Sequence, residues 1–88
     1  MITEVSAKTG ISVDNLLGRS RVYKIVIVRQ LYYKLLREKK GLLVEGIGRL
    51  CDRDHSTISN GIKHANDLLE TKDEYTVRMW DKIKGIEP

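Results

Sequence analysis

Cysteine is nearly absent from this 88-residue chain, and the single Cys51 excludes an internal disulfide. The chain therefore asks for no oxidising compartment, and Cys51 reads as a small buried hydrophobe in a turn. Long apolar runs are missing too. The longest aliphatic stretch, Ile25–Val28, is far too short to cross a bilayer, and no charged-then-apolar leader is present, so the expected location is cytoplasmic with no membrane partner. No Gly-x-x-x-x-Gly-Lys-Ser/Thr segment occurs, and Gly46-x-Gly48 alone is too little to cradle phosphates, so no nucleotide is expected in this chain. Cys51, His55 and His64 do not follow zinc-finger spacing, and no metal or other cofactor is expected. Asp54, His55 and Ser56 are the residue types of a hydrolytic triad. Neighbours on a helix point about 100° apart, however, and cannot bond in series, so no catalytic residue is assigned and the chain is not read as an enzyme.

What is present is a modest apolar fraction, 41%, enough for one small core. No repeat, low-complexity block or linker divides the chain. Residues 1–88 are expected to form a single all-α domain, a small helical bundle, with 85–88 as a loose tail. The net charge of +4 is unevenly placed: residues 17–63 hold 11 Lys/Arg against 4 Asp/Glu, while both flanks are net negative. Positive charge gathered in one block is the footprint expected of a phosphate-binding surface.

Helical signals follow one another along the chain. Residues 2–9 fit a short helix with Ile2, Val5 and Ala7 inward, stopped by a left-handed Gly10. Ser12 is a plausible N-cap for a brief helix through Leu17, with Val13, Leu16 and Leu17 towards the core and Gly18 ending it. From Arg21 to about Lys39, Val22, Ile25, Val26, Tyr32, Leu35 and Leu36 recur at three- and four-residue intervals, and Gly41 is the natural stop. Lys24, Arg29, Lys34 and Arg37 fall on or beside the less apolar surface. One ring of Tyr32-Tyr33 is expected in the core and the other partly exposed, which argues against a base-stacking platform. Leu42–Cys51 should bury Leu43, Ile47 and Leu50, with Gly46 and Gly48 allowing a close crossing over the long helix. Asp73 can cap a last helix through about Lys84, with Val77, Trp80 and Ile83 on one side and Trp80 as a core lid.

The stretch that organises the rest is Ile47–His64. A short apolar segment runs into a polar turn and then into a second helix starting near Asp54, which is a helix-turn-helix pattern. In such a unit the second helix enters the major groove of DNA N-terminus first. Asp54, His55, Ser56 and Thr57 occupy that tip; all can hydrogen-bond to base edges, and Asp suits the cytosine amino group. Asp54 also fits an N-cap. Farther on, Ile58, Ile62, Ala65 and Leu69 share one arc, opposite Ser56, Asn60 and Lys63. Lys63 and His64 lie deeper along the groove wall, where phosphate contact is expected rather than base reading. Gly61 weakens the helix, and close approach to another helix or to DNA is the reason offered.

Arg53-Asp54-His55-Ser56-Thr57 resembles the Arg-Asp-His-Thr-Thr signature in the C-terminal DNA-binding domain of the bacterial replication initiator DnaA. Ile11-Ser12-Val13-Asp14-Asn15-Leu16-Leu17 is similar to the entry segment of that domain, and Arg29-Gln30 matches a pair on its long helix. The resemblance runs from about Val5 to about Lys84. It implies a fold of the kind also seen in the Trp repressor, binding double-stranded DNA that resembles the DnaA box. It further implies that Arg21 reaches into the minor groove, where a narrow groove attracts arginine. Arg29 and Gln30 are the phosphate contacts it implies, and Lys34 and Arg53, in the same basic block, are expected as further phosphate contacts. Two departures stand out. Cys51-Asp52 replaces two glycines, leaving the segment from Ile47 to Arg53 one residue shorter, and Asn60-Gly61 replaces a common His-Ala. A different base preference is expected.

The function expected is sequence-specific double-stranded DNA binding, in replication initiation or its regulation. The alternative, on the same fold, is a dimerising transcription regulator or protein-interaction adaptor, which would expose Trp80 and Tyr33 in one patch and bind a second copy of the chain.

Overall fold

The computed structural model describes all residues from Met1 to Pro88 and contains six helices and no strand. They are α1 (Ile2–Thr9), α2 (Val13–Leu17), α3 (Tyr23–Lys39), α4 (Val44–Cys51), α5 (His55–Glu70) and α6 (Glu74–Ile83). The long α3 is the axis of the bundle and packs against every other helix.

Local chemistry sets the boundaries. Gly10 ends α1 at φ 77°, a conformation that only a residue without a Cβ adopts freely, and Gly41 turns the chain after α3 at φ 65°. Ser12, Asp54 and Asp73 are the side-chain N-caps of α2, α5 and α6, each accepting from a backbone N–H that the first turn leaves without a partner. Asp73 also accepts from the Thr76 hydroxyl at 2.6 Å, and these two bonds hold its carboxyl below the usual carboxylate range.

The core is one cluster reaching from Val5 in α1 to Ile86 beyond α6, with Ile27, Val28, Leu31, Leu35 and Leu36 of α3 at its centre. Several expectations are corrected. Both Tyr32 and Tyr33 are buried, because helices pack on α3 from several sides and leave no exposed flank at that level. Burial pushes the Tyr32 hydroxyl up to about 12 and raises Tyr33 and the buried thiol of Cys51 as well. On α4 the buried positions are Ile47, Gly48 and Cys51, whereas Leu43 and Leu50 face solvent. Val22 is exposed because it is the extended N-cap of α3, outside the helix, where helical periodicity does not apply. Leu17, at the end of the five-residue α2, and Ala7 also point outward. Ile86 is buried, so 85–88 is no loose tail: Ile86 N–H bonds back to Ile83 O, and an aliphatic side chain so placed contributes about 2 kcal/mol. No helix is long and apolar enough to cross a membrane.

Candidate nucleic-acid interface

The turn between α4 and α5 is three residues long, Asp52–Asp54. Asp52 caps α4 in the left-handed region at φ 54°, and Arg53 N–H then bonds to Gly48 O at 2.8 Å. This reversal folds the chain onto Gly48 so closely that a Cβ there would lie 2.5 Å from the carbonyl oxygen of Arg53. The close approach made possible by Gly48 is therefore to the turn, not to α3 as expected, and a Cβ on Gly46 would meet nothing. At Gly61 the expectation of helix contact holds: a Cβ would sit 3.2 Å from Gln30 Cγ and 3.3 Å from Tyr33 Cδ2 of α3.

Asp54, His55, Ser56 and Thr57 all lie exposed at the start of α5. Asp54 Oδ1 accepts from Ser56 N–H at 3.0 Å and lies 3.2 Å from His55 Nδ1, which leaves its second oxygen and the far ring nitrogen of His55 directed away from the pair. His55 and Thr57 border an open depression of about 660 Å³ floored by Gly48, whose rim carries Arg19, Arg49 and Arg53 besides Glu45, Asp52 and Asp54. Arg19 and Arg49 were not singled out by sequence reasoning. Their only signal was membership of the basic block.

The remaining residues divide into two groups. Arg21 and Lys63 are exposed. Gln30 and His64 meet across α3 and α5, with Gln30 Oε1 2.6 Å from His64 Nδ1. Turned inward instead is Arg29, read from the sequence as lying beside the less apolar surface. It is 7% exposed and donates to Ser20 O at 3.0 Å and Asn15 O at 2.9 Å, while its Nε is buried without a partner. Desolvation lowers its pKa. Arg53 donates to Gly18 O, to Leu17 O at 3.4 Å and to Asp52 O at 3.1 Å. Lys34 pairs with Glu38, bonds to Asn66 Oδ1 at 2.7 Å and lies 5.0 Å from the centre of the Trp80 ring.

A rim of three arginines interleaved with three carboxylates, beside an exposed, hydroxyl-bearing helix tip, is thus mounted on a six-helix bundle. The family model described as bacterial dnaA protein helix-turn-helix matches residues 1–64. The chain belongs to that family. It is 38% identical over 64 residues to chromosomal replication initiator protein DnaA 1 of Chlamydia muridarum, covering 73% of this chain and 14% of that protein. DnaA 2 of Protochlamydia amoebophila is 33% identical over 73 residues, covering 83% and 16%. DnaA 2 of Chlamydia caviae is 33% identical over 87 residues, covering 98% and 19%. The DnaA-like chain thus spans less than a fifth of the length of these relatives, and no solved structure gives a significant match.

Proposed function

We propose that this DnaA-like domain binds double-stranded DNA sequence-specifically, at sites resembling the DnaA box, in replication initiation or its regulation. The observation that carries the reading is the exposure of Asp54, His55, Ser56 and Thr57 together at the tip of α5, beside Arg19, Arg49 and Arg53, where the end of the helix projects beyond its buried residues Ile58, Gly61 and Ala65. In this reading the tip enters the major groove and Arg21 the adjacent minor groove, while Gln30, Lys63, Arg19 and Arg49 meet phosphates and His64 orients Gln30. Arg29 and Arg53 hold the loop that carries Arg19 and Arg21. Lys34, engaged with Glu38, Asn66 and Trp80, stays with the bundle.

The adaptor alternative called for Trp80 and Tyr33 exposed in one patch. Tyr33 is buried, and Lys34 lies over the half-buried Trp80 ring. The deciding experiment is enrichment of a random duplex pool followed by titration over a range of salt. A single enriched motif and a log–log slope of about −0.9 per phosphate contact support the reading. A pool with no enriched motif, bound no better at low salt, overturns it.

A further inference from the structure

The tip of α5 is not the only part of that helix with free readout chemistry. Beyond His55, three exposed side chains on α5 carry an amide or an imidazole: Asn60, His64 and Asn66. His64 is held by Gln30 and Asn66 by Lys34, which leaves Asn60 with its amide donor and its amide acceptor both unengaged.

Its direction follows from helix geometry. At 3.6 residues per turn, Asn60 lies about 40° from Ser56 on one side and about 60° from Thr57 on the other, and almost opposite the buried Ile58. It is also about 6 Å farther along the axis than Ser56, roughly the spacing of two stacked base pairs. The mounting is rigid. The next residue, Gly61, is buried against Gln30 and Tyr33 of α3, so the turn that bears Asn60 cannot rock towards the core. A side chain placed between two tip residues, one turn deeper and on a fixed backbone, meets the conditions for reading a base edge.

We infer that Asn60 is a further specificity-determining residue, reading an adenine in the major groove beyond the base pairs met by the tip. An asparagine amide donates to N7 and accepts from the N6 amino group of adenine in one plane, a pairing that no other base edge reproduces. Lys63, one turn on, supplies the stronger phosphate ligand on this flank, so a neutral amide is not needed for that purpose. The inference rests on the DNA-reading function proposed above.

The test uses the duplex that the wild-type chain enriches from a random pool, remade with each adenine replaced in turn by 7-deazaadenine, which removes the N7 acceptor. One replacement is expected to weaken the wild type about tenfold and to leave Asn60→Ala unaffected, with both proteins equal on unrelated duplex. Asn60 is exposed and alanine favours helix, so the variant is expected to fold, which its helical circular dichroism checks. The inference fails if Asn60→Ala enriches the same motif at every position. It also fails if Asn60→Ala loses affinity uniformly on all sequences, the mark of a phosphate contact. Those results leave the DNA-reading function standing, whereas a pool without any enriched motif removes both.

Discussion

Arg53, in the turn of the helix-turn-helix, donates a hydrogen bond to the carbonyl oxygen of Gly18, 35 residues earlier in the chain. Arg29, rooted in α3, donates to Ser20 O in the same loop. Two guanidinium groups thus hold the segment that carries Arg19 and Arg21, and neither has a carboxylate partner, since the ion pairs of the chain involve other residues. A buried cation without a counter-ion is costly, so its stabilisation comes from the carbonyls it serves. The geometry links the loop that carries the proposed minor-groove arginine to the turn and to α3 through these hydrogen bonds, with the exposed Arg19–Asp52 pair at 3.9 Å beside them.

That link separates positioning from phosphate binding. Replacing Arg53 by alanine frees the Gly18–Val22 segment without removing a phosphate ligand. The expected result is a loss of duplex affinity of about tenfold or more with an unchanged salt slope. A phosphate ligand would instead reduce the log–log slope by about 0.9 when removed. Titrations of wild type and Arg53→Ala at several salt concentrations read the difference directly.

The two glycines of α4 are expected to respond in opposite directions. A Cβ on Gly46 meets nothing, so Gly46→Ala should gain about 0.5–1 kcal/mol from helix propensity. A Cβ on Gly48 would press on the backbone oxygen of Arg53 at 2.5 Å, where no side chain can swing away. Gly48→Ala should therefore lose more than its propensity gain, about 2 kcal/mol or more net, because the turn itself must shift. Urea unfolding of the two variants checks both signs.

The α4 helix also shows what could be read from the residues and what could not. Two apolar stripes that share Ile47 are available on it, one completed by Leu50 and the N-cap Leu43 and the other by Val44 and Cys51, with centres about 65° apart. Periodicity does not choose between them. The choice falls to the second stripe because Gly48 on that side lets the turn and α5 come close, which is a tertiary effect. The caps at Ser12, Asp54 and Asp73 and the stops at Gly10 and Gly41 were legible, since each depends on its own neighbours. The exposed helix tip was legible for the same reason. The inward turn of Arg29 and Arg53 was not, because the carbonyls they serve lie 14 and 35 residues away in the chain. The burial of Ile86 likewise depends on contacts that a four-residue end does not advertise.

The buried tyrosine pair sets an alkaline limit. Burial raises the Tyr32 hydroxyl from 10.0 to about 12, so the folded chain holds this proton more tightly than the unfolded one. The stabilisation is complete below about pH 10 and is lost as pH rises through the folded value. Two units correspond to about 2 to 3 kcal/mol. Stability measured by urea unfolding should be flat from neutrality to about pH 9.5 and fall between about pH 10 and 12, and Tyr32→Phe should remove much of that fall.

The Gln30–His64 pair makes the last prediction. Gln30 Oε1 can only accept, so the proton lies on His64 Nδ1, and the amide nitrogen of Gln30 is left free to donate outward. In the proposed interface that donor meets a phosphate, and His64 fixes its direction. Gln30→Glu keeps an acceptor for His64 but replaces the outward donor with negative charge. It should weaken duplex binding about tenfold at low salt, with the deficit shrinking as salt screens the repulsion. His64→Leu should produce a smaller loss, a few-fold, which Gln30→Glu does not compound in the double variant, because both changes act on the same donor. Additive losses in that cycle would show that the two side chains meet DNA independently.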